Sequence, residues 1–116
     1  MGGGYVIMDD HISASNQVLG EAYFLDLLGD AYNGLGRYDE AVVALSGAAT
    51  AFRQHGAQCA HAVCLFKLAQ SHLAMAHGEQ AIRYLEECLP IFQELHLPDH
   101  EEQALRALDS CRATAG

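Results

Sequence analysis

The chain predicts an all-α fold of antiparallel helix pairs stacked one on the next, and three observations carry that expectation. The first is a recurrence forty residues along: Leu25, Leu28, Gly29, Tyr32, Gly36, Ala41, Leu45, Ala48 and Phe52 return as Leu65, Leu68, Ala69, His72, Ala76, Ala81, Leu85, Cys88 and Phe92. The second is spacing, since Leu25, Leu28 and Tyr32 advance by three and four, as do Ala41, Leu45, Ala48 and Phe52, which is helical periodicity. The third is the link Asn33-Gly34-Leu35-Gly36-Arg37-Tyr38. Its glycines end one helix, and Asp39 and Glu40 then place negative charge at the start of the next, where the helix dipole favours it. So short a link makes the two helices antiparallel. Units of this length bury their faces only against neighbours, so the product is a surface for a partner rather than a catalytic pocket.

Taken in order, residues 1–15 read as a leader or as the remnant of an earlier repeat helix. Met1-Gly2-Gly3-Gly4 has the composition of a flexible end. Applying the offset backwards sets Tyr5, Met8 and Ile12 on Leu45, Ala48 and Phe52, and Asn16 on Gly56. Asn follows Gly in preference for the left-handed position past a helix end, so a break is expected at Asn16. Asp9 and Asp10 weaken the match, and the β-branched pair Val6-Ile7 would also suit an extended segment.

Residues 16–56 form the first repeat and residues 57–96 the second. Gly29 and Ala69 are small because a larger side chain would push the packed axes apart, and Ala41 and Ala81 answer them from the second helices. Pro90 falls inside the helix from about Glu79 to Leu95, where it removes a hydrogen bond and predicts a bend near Glu86. Residues 97–114 form a closing helix: Pro98 suits its opening turn, and Leu105 and Leu108 repeat Leu65 and Leu68. Its other flank, Glu101, Glu102, Arg106, Asp109 and Arg112, is that of a cap facing water. Five or six helices result.

The stretch Leu28-Gly29-Asp30-Ala31-Tyr32, followed by Leu35-Gly36-Arg37-Tyr38-Asp39-Glu40-Ala41 and by Ala48, resembles the tetratricopeptide repeat family almost slot by slot. The second copy is looser, with Ala69 for the family's glycine, His72 for its tyrosine, and Gly78 where the first copy has Tyr38. The long period, closed by Phe52-Arg53-Gln54-His55-Gly56 and Phe92-Gln93-Glu94-Leu95-His96, resembles variant repeats of large bacterial regulators and kinesin light chains. The resemblance implies a short right-handed superhelix whose concave wall is lined by first-helix side chains, with a peptide or partner helix lying across it. Carried over by slot, the wall holds Tyr23, Asp26, Asp30 and Asn33, then Phe66, Lys67 and Gln70, then Gln103, Arg106 and Ser110. Repeats that clamp a chaperone's terminal carboxylate want Lys and Asn where this chain has Asp26 and Asp30. A ligand with a basic group towards those acids and an apolar group against Tyr23 and Phe66 fits better.

Composition narrows the function further. A formal charge of −9 and a single lysine, Lys67, argue against nucleic acid as a direct partner and favour a basic one, although an acidic surface also aids solubility. No apolar stretch is long enough to cross a bilayer, no signal peptide opens the chain, and Val6 replaces the Ser or Thr that Gly2 myristoylation requires. A cytoplasmic protein is expected. Cys59, Cys64, Cys88 and Cys111 sit in apolar helical patterns, as free thiols of a reducing compartment do.

His55, Cys59, His61 and Cys64 have metal-ligating types, but at this spacing four ligands could not converge without unwinding the helix, so no metal is expected. His96 and His100 flank a helix junction as solvated histidines. Neither Asp26 with Asp30 nor Glu86, Glu87 and Glu94 forms a carboxylate pair that chemistry demands, and Gly34 and Gly36 belong to a turn rather than a phosphate loop. No enzymatic activity and no cofactor are expected. Five arginines to one lysine and abundant alanine suggest a module of a larger bacterial regulator. The role expected is a non-enzymatic protein-interaction scaffold. The alternatives are a homo-oligomerisation module, such as a homodimer through exposed repeat ends, and a peptide or small-molecule sensor.

Overall fold

The computed structural model describes the backbone of residues 2–115 and the side chains of residues 16–114. The elements are α1 (Gly2–Gly34), α2 (Tyr38–Gln54), α3 (Gln58–Ala74), α4 (Gly78–Glu94) and α5 (Pro98–Ala115), with no strand among the described residues. Each helix packs on the next, and α1 also reaches α3. That contact puts the first helices of the two repeats side by side on one surface, as a helical repeat solenoid requires.

The core follows the repeated slots. Ala41, Leu45, Ala48 and Phe52 of α2, and Ala81, Leu85, Cys88 and Phe92 of α4, are all buried, with Leu65, Leu68 and Ala69 between them. A Cβ at Gly29 would stand 2.5 Å from Leu45 Cγ, so the glycine is what lets α1 and α2 approach. Pro90 is exposed, and α4 continues past it to Glu94.

The four links are built alike. Each spans three residues, and its middle residue is left-handed: Gly36 (φ 76°), Gly56 (71°), Ala76 (61°) and His96 (55°). The amide that follows donates back to the carbonyl five residues earlier: Arg37 to Tyr32 at 2.9 Å, Ala57 to Phe52 at 2.9 Å, His77 to His72 at 2.8 Å and Leu97 to Phe92 at 3.0 Å. These are Schellman closures, which satisfy carbonyls that a helix end leaves open.

The break expected at Asn16 is absent. α1 runs without interruption from Gly2 to Gly34, so the segment read as a remnant helix and the first helix of the first repeat are one element, and five helices result. The left-handed preference of Asn is small beside the helical hydrogen bonds a turn gives up. A turn forms where packing of the helix pair offsets that loss. The side chains of residues 1–15, with the offset match of Tyr5, Met8 and Ile12, lie outside the described residues.

Candidate functional site

The surface where α1 meets α3 carries the expected wall residues, and the structure ties several of them together. Lys67 Nζ donates to Asp26 Oδ1 at 2.7 Å and to Asp30 Oδ2 at 3.0 Å. The two acids stand one turn apart on α1, so an ammonium from the neighbouring helix spans them. Burial alone would lower the Lys67 ammonium, but its hydrogen bonds to Asp26 and Asp30 outweigh this and hold its pKa above the ordinary lysine value. Next along the seam, the Ser71 hydroxyl donates to Asn33 Oδ1 at 2.7 Å. The basic group that the sequence reading sought from a ligand is thus supplied from within the chain. Two carboxylates against one ammonium leave one negative charge.

The remaining wall residues are placed differently. Tyr23 is 53 % exposed yet packs edge-on against Phe52, with ring centroids 4.8 Å apart. Phe66 is half-buried against the core, and Gln70 is exposed beside it. On α5, Gln103, Arg106 and Ser110 are exposed, and Arg106 pairs with Glu102 one turn back on its own helix. The network therefore joins α1 to α3, and α5 adds exposed side chains that are not bonded into it.

Residues with metal-ligating types are spent elsewhere. His55 Nδ1 lies 3.1 Å from the Ala51 carbonyl, and buried His61 turns Nδ1 to the Ala49 carbonyl at 2.9 Å. Cys59 is exposed and Cys64 is buried. Burial, with Asp26 nearby, pushes the Cys64 thiol up to about 12, so it stays protonated and is a poor nucleophile and ligand. Burial likewise takes Cys88 to about 12. Among the described residues no three His, Cys, Asp or Glu side chains converge to hold a metal ion.

Two features were not singled out in the sequence. Ser71 replaces Ala31 in the repeat, and this polar-for-apolar exchange was the available signal for the bond to Asn33. The other is an imidazole pair at the third link: His72 stacks on Tyr84 with centroids 5.6 Å apart, and its Nδ1 is 3.3 Å from His77 Nδ1. A groove of about 460 Å³ opens there, lined by Val42, His72, Gln80, Arg83, Tyr84 and Glu87.

Stacked antiparallel helix pairs with a shared first-helix surface define a helical repeat architecture. A family model described as the tetratricopeptide repeat matches residues 20–94. The chain belongs to the tetratricopeptide repeat family, whose members serve generally as protein-protein interaction modules. No curated protein matches the chain. Among the described residues no helix is long and apolar enough to cross a membrane.

Proposed function

We propose that this chain is a non-enzymatic scaffold that binds a peptide or partner helix along the seam of its first helices, through Tyr23, Asp26, Asp30, Asn33, Phe66, Lys67 and Gln70, with Gln103 and Arg106 at the far end. The observation that supports this best is the Lys67 bridge to Asp26 and Asp30. It fixes a polar strip across two helices before any ligand arrives, and a preformed strip avoids an ordering cost on binding. The charge left over on the acids favours a basic group on the ligand, and Tyr23 and Phe66 offer apolar contact to either side. Four free cysteines, and five arginines to one lysine, support a cytoplasmic module of a larger bacterial regulator.

A panel of labelled peptides combining Lys or Arg with a large apolar residue, read by fluorescence anisotropy, tests the assignment. The best binder should weaken about tenfold or more with Asp30→Asn or Phe66→Ala, as for an interface residue worth over a kcal/mol. Gln80→Ala, away from the seam, should leave it unchanged. Equal effects from all three would remove the seam as the site.

A second reading is supported by a different observation. Phe24, Leu27, Leu35 and Val43 are 64 to 75 % exposed in the first repeat, and exposed apolar side chains of this kind are what a self-association surface would use.

A further inference from the structure

Six side chains of this chain are lysine or arginine, and four of them are already paired: Arg37 with Glu40, Lys67 with Asp26 and Asp30, Arg106 with Glu102, and Arg112 with Glu86. Among the described residues Arg53 and Arg83 have no such partner, and both line one cleft. α2 and α4 each pack on α3 and leave this cleft between them. Its wider part, the groove of about 460 Å³ beside His72, carries Arg83. Tyr84 and Glu87 line both parts, and beyond them a narrower part of about 140 Å³ carries Arg53 over a floor of Leu65 and Leu68. Leu65, Leu68 and His72 advance by three and four along α3, so the cleft lies on a different flank of that helix from Lys67 and Ser71 in the seam.

Charge and hydrogen bonding in the cleft call for the same occupant. Two guanidiniums against the one carboxylate of Glu87 make it locally positive in a chain whose formal charge is −9. His61, 8 % exposed, reaches it from α3: Nδ1 is held by the Ala49 carbonyl at 2.9 Å, and Nε2 has Glu87 at 3.9 Å, beyond hydrogen-bond reach. An Nδ1 that donates to a carbonyl leaves Nε2 of the neutral ring as an acceptor, open to an N–H from outside the chain. A bare anion brings no N–H, whereas an acidic peptide brings both N–H groups and carboxylates. By the forty-residue offset Arg53 is level with Gln93, ten positions past Arg83 (83 to 93). That is about 15 Å along α4 at about 1.5 Å per residue, which an extended chain covers in about four or five residues. We propose that this cleft is a second binding site, for an extended acidic peptide segment that sets one carboxylate on Arg53, another about four or five residues away on Arg83, and a backbone N–H on His61 Nε2. It prefers the opposite charge from the seam, so it holds a different partner and does not depend on the seam being occupied.

The full chain is titrated at low salt with labelled synthetic peptides whose two glutamates are either adjacent or about four or five positions apart, each beside a counterpart with glutamine in their place, and anisotropy is read. The spaced acidic peptide should bind saturably, and more tightly than the adjacent one or the glutamine counterpart. Arg53→Gln and Arg83→Gln should each weaken it about tenfold, as for loss of one charge-assisted contact. Both arginines are exposed, so these variants should keep their helical circular dichroism. Glu87→Gln, which removes the opposing carboxylate, should tighten binding, and Asp30→Asn in the seam should leave it unchanged. No saturable binding, or arginine variants that bind like the parent chain, would overturn the proposal. Weakening by Asp30→Asn as large as that by the arginine variants would also overturn it, because the peptide would then lie in the seam. Equal binding of a single-stranded oligothymidylate would overturn the peptide as occupant and leave an unspecific polyanion strip.

Discussion

Leu28 and Leu68 hold the same slot in consecutive repeats, yet Leu68 is 1 % exposed and Leu28 is only half-buried. The difference lies in the neighbour and not in the residue: α3 has α2 on one side and α4 on the other, whereas α1 has α2 alone and reaches α3 only along the seam. The same contrast separates Cys64, fully buried, from Phe24, largely exposed. In a one-dimensional stack, then, burial measures position, and an identical side chain stabilises more in the middle than at an end.

The largest expected effect follows from that contrast. Leu68→Ala should cost about 3 kcal/mol, the transfer and cavity cost of a buried leucine, while Leu28→Ala should cost about 1 kcal/mol because much of its surface already meets water. Urea unfolding at low protein concentration measures both. If the two losses converge as concentration rises, the end face is covered in solution. Equal losses at every dilution would break the comparison outright.

A smaller effect should come from the links, where the repeats differ by one residue. Gly36 and Ala76 hold the same left-handed position, at φ 76° and 61°. Only glycine adopts it without a Cβ penalty. Ala76→Gly should therefore stabilise by about 0.5–1 kcal/mol, and Gly36→Ala should destabilise by about 1 kcal/mol. No side chain lies within 4 Å of a Cβ built at Gly36, so backbone conformation alone would set the loss. Thermal unfolding of the two variants gives the signs, and a destabilised Ala76→Gly would mean that the alanine methyl packs in a way the first link does not need.

The repeat, its small-residue slots and two of its links were legible because each depends on local pattern. Gly29 is such a case: its repeated slot marked it as a small residue facing the second helix, and a Cβ built there would stand 2.5 Å from Leu45 Cγ. Lys67 is the opposite case. Its slot partner is Leu27, so the offset placed it on the wall but gave no sign that it bridges Asp26 and Asp30, which depends on the axial stagger of α1 against α3. His96 was read as a solvated histidine, not as a left-handed link residue, because histidine signals that conformation far less strongly than glycine does. Asn16 failed in the reverse direction. The local signal was present, but a link also needs a pair of helices whose packing offsets the helical bonds it breaks.

The smallest expected effect lies where the repeats differ in chemistry across a link. In the first, the Arg37 guanidinium stands 5.1 Å from the Tyr32 ring centre, an attractive contact that does not titrate near neutrality. In the second, the same slots hold His72 and His77, with Tyr84 stacked on His72 and Arg83 and Glu87 lining the groove beside them. Burial first, and the charge of His77 second, hold His72 below the ordinary histidine value of 6.5. The unfolded chain therefore takes up that proton before the folded chain does. Stability from this site is complete well above pH 6.5 and is lost as pH falls through 6.5 and below. His72→Tyr restores the first repeat's residue and should flatten the fall in melting temperature between pH 7 and 5 relative to the parent chain. Proton NMR of the imidazoles should give His72 a midpoint below that of an unfolded peptide. A midpoint above it would mean that Glu87 reaches the ring more closely than His77 does, and the slope of stability with pH would then reverse.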